Sequence, residues 1–285
     1  SEPQRKIKIM SDNPPPLVPV EGWHVMHLYY SVDHSQWSLL SEAEQRQAKT
    51  ELSELVQEIR SHKDTQLLIF AVATPKADLG FMLLTPDLHD ATHFEKRLTL
   101  ALGPDVLTPT YSYLSQTERS EYTTTSEQYG KDTLIGEQGM AEGSEEFEAA
   151  LKEFDERMKH YLQHRLYPSL PDWPVICFYP MSKRRAPSDH YNWYSLDHAA
   201  RAKLMKGHAT TGRKYSGKIL QLITGSTGLD EHEWGVTLLA KDTIEIKNIV
   251  YEMRFDEVSA RFADFGDFYI GMQLPLNELF KRICL

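Results

Sequence analysis

The sequence predicts an α+β chain built from two successive β-α-β-β-α-β units. Three observations carry this. Short apolar runs with strand character alternate with longer segments of helical periodicity. The order of these elements in the first half recurs in the second. The 285 residues, 41% of them hydrophobic, suffice for one large core or two smaller ones.

In the first half, Trp23-Val32 reads as a strand. Ser41-His62 reads as a helix, with Leu52, Leu55, Val56 and Ile59 at helical spacing. Gln66-Thr74 and Asp78-Leu84 are apolar runs joined by a Pro75-Lys76-Ala77 turn. His89-Leu102 is a second helix with Phe94, Leu98 and Leu102 four apart, and Thr108-Leu114 is a closing strand. The second half repeats the order. Val175-Ser182 is a strand, Asp197-Thr211 a helix, and Ile219-Thr224 and Glu233-Ala240 are strands around a Gly225-Asp230 loop. Thr243-Phe255 is a helix striped by Ile246, Ile249, Val250 and Met253, and Phe268-Leu274 is the last strand. This is the ferredoxin-like split βαβ order. The chain therefore divides into an extended, proline-rich lead-in (1–19), an N-terminal half (20–119), an acidic loop with a connecting helix (120–167) and a C-terminal half (168–285). In the connector, Phe147, Leu151, Phe154 and Met158 form one helical stripe, expected to cap the core.

Composition excludes several function classes. A formal net charge of −10 repels nucleic-acid phosphates. The two cysteines, Cys177 and Cys284, form neither a CxxC pair nor a zinc pattern, so a reducing cytoplasm is the expectation. No apolar run approaches the roughly 20 residues of a membrane span. There is no GxSxG elbow, no HExxH and no phosphate-loop spacing; Gly225-Ser-Thr-Gly228 reads as a hairpin turn, and His232-Glu233 is a bare pair without a later histidine.

The residue types able to do chemistry crowd into the second half. Strand alternation puts Cys177, Tyr179 and Met181 on one face, with Lys183, Arg184 and Arg185 beyond the strand end. A tyrosine beside a basic cluster suits a carboxylate or phosphate ligand, although a solvated basic turn would look the same. His208 shares an apolar helix face with Ala200 and Leu204. Such a residue is either a packed core histidine or an imidazole offered to a haem iron. Asp256-Glu257 after Arg254 reads as a helix C-terminal region with local ion pairs.

Taken together, these segments resemble one family. Tyr179-Pro-Met-Ser-Lys183, Asn192-Trp193-Tyr194, His208 through Gly212, Tyr215-Ser-Gly-Lys218, Gln221, Glu233-Trp-Gly-Val-Thr237, Tyr251-Glu-Met-Arg-Phe-Asp-Glu257 and Phe268-Tyr-Ile-Gly271 follow in order the pattern of the coproheme decarboxylases, the haem-synthesising branch of the chlorite dismutase-like enzymes. The resemblance implies two ferredoxin-like halves contributing to a β-barrel-like core of the dimeric α/β-barrel type, in a cytoplasmic homopentamer, with ferrochelatase as upstream partner. It implies iron coproporphyrin III (coproheme) as both cofactor and substrate, hydrogen peroxide as oxidant and haem b as product. His208 would be the iron ligand. Tyr179 would be the redox-active residue and Lys183 would hold the reacting propionate and help move protons. Arg254, Trp193, Met181 and Ser259 would line the pocket. Gln221 would lie on the open side of the iron, where the chlorite-splitting branch carries an arginine. The same fold could alternatively serve a chlorite dismutase, a peroxidase or a non-catalytic haem carrier.

Overall fold

The structure, a computed structural model, describes residues 13–285, so most of the expected 1–19 lead-in lies outside the described residues. The first half contains β1 (His24–Val32), α1 (His34–Ser38), α2 (Glu42–Ser61), β2 (Gln66–Val72), β3 (Leu79–Thr85), α3 (Leu88–Leu100) and β4 (Leu107–Thr117). A connector follows, with α4 (Ser126–Gln128), a π-helical stretch (Tyr129–Glu137) and α5 (Glu145–Leu166). The second half contains β5 (Val175–Lys183), α6 (His198–Arg213), β6 (Ile219–Gly225), β7 (Trp234–Ala240), α7 (Thr243–Met253), α8 (Glu257–Phe262), β8 (Ala263–Phe265), β9 (Tyr269–Gln273) and α9 (Leu276–Arg282).

The helices start where the sequence supplies acceptors for free N–H groups. Ser41 and Glu44 form a reciprocal capping box before α2, and Asp197 accepts from Ala200 N before α6. The strand order is β4-β1-β3-β2 in the first half and β6-β7-β5-β9 in the second. The halves join twice, through β4–β6 and β2–β9, and β5–β7 pairing closes an antiparallel ring with β8 on its margin. Closure leaves few free strand edges.

Inside the ring lie Val25, Tyr29, Phe70, Met82, Tyr113, Ile176, Phe178, Leu222 and Leu239, contributed by both halves. The interior is crowded: a Cβ on Gly80 would come within 2.3 Å of the Phe70 ring, and one on Gly271 within 2.5 Å, so only glycine admits that ring. Outside, α2 and α3 cover the first-half strands through Leu52, Ile59, Phe94 and Leu98, joined by Leu279 and Phe280 of α9. The second-half outer face, with Cys177, Tyr179, Val236 and Leu238, is covered mainly by Ile246 and Ile249 of α7.

Two expectations need correction. The segment after Ser120 is not simply a loop, because residues 126–137 are helical. The stripe on α5 also does not cap the barrel. Phe147 packs at Gly130 of the π-helix, and Phe154 stacks on Tyr129 with ring centroids 4.0 Å apart. The stripe found a partner in the connector itself, whose apolar residues are too sparse to show a period.

Candidate functional site

β5 sets out the site by simple alternation. Cys177, Tyr179, Met181 and Lys183 point to the outer face, and the Cys177↔Leu238 and Leu238↔Gln221 pairings put Gln221 on the same face two strands away. Tyr179 is buried. Its ring stacks on Phe268, with centroids 4.3 Å apart and planes 22° apart, and meets Phe265 edge-on. Burial pushes the phenol well above its ordinary value, with Cys177 adding to the shift and the Arg254 guanidinium opposing it.

Lys183 is only 8% exposed. Burial lowers its ammonium from 10.5 to about 8, opposed by the carboxylates of Asp256 and Glu233. Among the described residues, no carboxylate lies within ion-pair distance of it. Its Nζ instead sits 5.1 Å from the centre of the Trp193 ring. Trp193 is buried against Phe262 and Val258, with Leu204 and Met205 of α6 alongside. Arg184 is committed elsewhere, to an ion pair with Asp264 at 3.1 Å.

His208 projects from α6. Its Nδ1 hydrogen-bonds the Asp256 carboxylate. The other carboxylate oxygen of Asp256 accepts the Val258 N–H at 3.2 Å and so caps α8. One side chain thus starts a helix and holds an imidazole. With Nδ1–H donated to the carboxylate, Nε2 carries the free lone pair, which is the arrangement a metal-ligating histidine needs. Gln221 reaches the same helix one turn later, since a Cβ on Gly212 would lie 3.1 Å from Gln221 Nε2.

Arg254 and Ser259 line a pocket of about 570 Å³ together with Arg184, Phe265 and Phe268, and the Arg254 guanidinium lies 5.1 Å over the Phe265 ring. His208, Tyr179 and Gln221 do not line it. The expected residues therefore form two groups. In one group, Tyr179 and Met181 pack with Phe265, Phe268 and the α7 side chains, Lys183 faces Trp193, and Gln221 approaches Gly212 of the helix that carries His208. Arg254 and Ser259 lie across the Phe265–Phe268 wall.

Sequence reasoning missed Asp256 and Glu233. Asp256 was assigned to a local ion pair at a helix end. In fact it begins a new helix and pairs with His208, while Glu257 makes the local pair, with Arg261, at 2.7 Å. The clue was an Asp directly after a helix stop, the position of an N-cap. Glu233 is buried and accepts the Lys183 backbone N–H at 2.7 Å and the Tyr194 hydroxyl. Nothing local in the sequence marks it. Cys177 is buried and Cys284 exposed, and the two are not joined. Among the described residues, no helix is long and apolar enough to cross a membrane.

Comparison with known proteins gives the family. The chain resembles a haem-binding protein from Thermus thermophilus, at 36% identity over 95% of this chain and 98% of that one, with a TM-score of 0.76. It shares its fold with chlorite dismutase from Candidatus Nitrospira defluvii. An arginine-to-lysine variant of that enzyme matches at 20% identity over 94% and 97% of the two chains, and its imidazole complex at 19% over the same shares, both with a TM-score of 0.68. The family model described as chlorite dismutase matches residues 45–274, most of the chain and all the candidate residues above, so the protein belongs to the chlorite dismutase family.

Proposed function

We propose that this protein is a hydrogen peroxide-dependent coproheme decarboxylase, converting two propionates of iron coproporphyrin III to vinyl groups and releasing haem b. The observation that carries the reading is the pairing of a buried phenol and a buried ammonium, Tyr179 and Lys183, on one sheet face, together with an α6 imidazole whose Nδ1 is held by Asp256. The haem-binding relative supports an iron porphyrin as the ligand. The identical strand order of the two halves supports a duplicated ferredoxin-like unit. Assembly as a cytoplasmic homopentamer supplied by ferrochelatase belongs to the same reading.

The residues present suit the group. His208 Nε2 would hold the iron. Lys183, Arg254 and Ser259 would meet carboxylates, with the cations forming charge-assisted bonds. Met181 and Trp193 would form walls. The neutral Gln221 would line the pocket from β6, where it offers no charge to hold a chlorite anion. The iron porphyrin, with peroxide, supplies the oxidising equivalent. Tyr179 then gives up its hydroxyl hydrogen, and its phenoxyl oxygen takes a hydrogen atom from the propionate β-carbon. Each round converts one propionate carboxylate, one peroxide and one proton into a vinyl group, carbon dioxide and two waters. Lys183 keeps the carboxylate beside Tyr179 and presents a proton.

Incubation of the coproheme complex with peroxide, followed by mass spectrometry of the porphyrin, tests the reading. The expected product has lost two carbon dioxides with their accompanying hydrogens. Tyr179→Phe keeps the ring and its stack on Phe268; it should bind coproheme and leave the mass unchanged. An unchanged mass with the unaltered protein would instead make it a haem carrier, and oxygen release from chlorite would make it a dismutase.

A further inference from the structure

Charge is spread unevenly along this chain, and the exception falls on the helix that carries His208. The whole chain carries −10, with 41 acidic against 31 basic side chains. Between Asp197 and Asp230, however, there is no Asp or Glu, while Arg201, Lys203, Lys206, Arg213, Lys214 and Lys218 supply six cations. A stretch of +6 in a chain of −10 leaves −16 for the remainder. Three of the six are compensated by other elements. Arg201 approaches Glu121 of the connector at 3.8 Å, and on α7 Glu252 pairs with Lys214 and Glu245 with Lys218 at 3.5 Å. Lys203, Lys206 and Arg213 are exposed, and among the described residues no carboxylate lies within ion-pair distance of them.

These three side chains form a stripe. Their spacing of three and seven residues puts them on one face of α6, over about 15 Å of its length. Thr210, exposed between them, belongs to the same face. His208 is two residues from Lys206 and five from both Lys203 and Arg213, so it projects from the other side of the helix. The stripe therefore does not touch a group held by His208 and acts on one only through its field. The arrangement is also costly. Lys203 and Lys206 stand one turn apart and repel, and α6 has no buried residue to offset that repulsion.

We infer that the outer face of α6 is an electrostatic guide, which draws polycarboxylate porphyrins to this side of the protein and favours coproheme over haem b. The inference rests on the coproheme decarboxylase reading for the identity of the ligand. It adds three residues, all outside the binding and catalytic set. Coproheme carries four carboxylates and haem b two, so a local positive field speeds the arrival of the substrate more than that of the product. One helix diameter, about 10 Å, separates the stripe from the His208 side. The screening length at physiological ionic strength is roughly 8 Å. The field thus reaches an approaching anion, and added salt removes it. The acidic remainder of the chain repels the same anion, which sharpens the direction of approach.

Stopped-flow mixing of the full chain with coproheme, followed at the Soret band, gives the association rate. Lys203→Gln, Lys206→Gln and Arg213→Gln combined should slow association about 10-fold at low ionic strength and leave dissociation within about 2-fold of the parent. Salt at about 0.5 M should bring variant and parent together. Association of haem b should slow less than that of coproheme. A charge-matched control on exposed sites of the first half, Arg46→Gln, Lys63→Gln and Lys96→Gln combined, should keep the coproheme rate within about 2-fold of the parent. Equal slowing in the two triple variants, equal losses for the two porphyrins, or a parent rate indifferent to salt would overturn the guide. If coproheme associates as expected but keeps its mass with peroxide, the decarboxylase reading falls and the guide stands. If vinyl groups form while the α6 charges leave the association rate unchanged, the guide falls and that reading stands.

Discussion

Each half contains a long helix after its first strand, and the two helices could hardly differ more. In the first half, α2 buries Ala48, Leu52, Leu55, Val56 and Ile59 against the sheet. In the second, α6 has no buried residue, and the positions around His208 carry Lys203, Lys206, Thr210 and Thr211. The strand order beneath is the same. A helix with no buried residue contributes little to the core. The half whose long helix is buried carries no candidate chemistry, and the half whose long helix is not carries the phenol, the ammonium and the imidazole.

Ways to break this contrast run from large effects to small. Leu52→Ala on α2 should destabilise the protein by about 2–5 kcal/mol in urea unfolding, while Leu204→Ala on α6 should cost no more than about 1 kcal/mol. Equal costs would mean that α6 is packed like its counterpart. Asp256→Asn removes the anion that orients His208, so iron porphyrin affinity measured by Soret titration should drop about 10- to 100-fold. An unchanged titration would leave Asp256 as a helix cap only.

Lys183→Met tests the burial of charge on the ligand-ready side. The folded ammonium titrates near 8 and the unfolded one near 10.5, so the unfolded chain binds more protons between these values. At pH 7 the variant should be more stable than the parent by about 1–4 kcal/mol. That advantage should shrink as the pH rises from about 8 to 10.5. Coproheme affinity of the parent should weaken along the same limb as Lys183 loses its charge. The smallest effect should appear in hydrogen exchange. Amides of α6 should exchange faster than those of α2 in the porphyrin-free protein, and slow once coproheme is bound. Protection of α6 that is already equal to α2 without ligand would contradict the contrast between a buried and an unburied helix.

His27 offers a control in the barrel itself. It is fully buried, stacks on Phe178 at 3.9 Å, and its Nε2 meets Thr237 Oγ1 at 2.8 Å. Burial drives its pKa from 6.5 to about 3. The unfolded chain takes up a proton first, so stability should fall as the pH drops from 6.5 towards 3. His27→Gln should flatten that slope without affecting the site.

Much of the architecture was legible because it is periodic. The stripe Leu52, Leu55, Val56 and Ile59 marks α2, and those same residues are its buried face. The alternation of Cys177, Tyr179 and Met181 places them correctly on the outer side of β5. The short helices α1, α8 and α9 went unseen because one or two turns cannot establish a period. The π-helical stretch was hidden for another reason: its residues carry turn and loop preferences. Tyr179 and His208 could be proposed from their settings, whereas Asp256 could not, since its partner lies 48 residues away in the chain.

By itself, then, the sequence determined the long strands and helices and their apolar faces, because spacing along the chain encodes both. Only the tertiary structure decided that the ring closes through β5–β7 and the two joins between halves, that Asp256 and not a neighbour holds His208, and that Glu233 links Tyr194 to Lys183. Such contacts join residues far apart in the chain. They follow from how the finished sheet brings loop ends together, and no local preference records them.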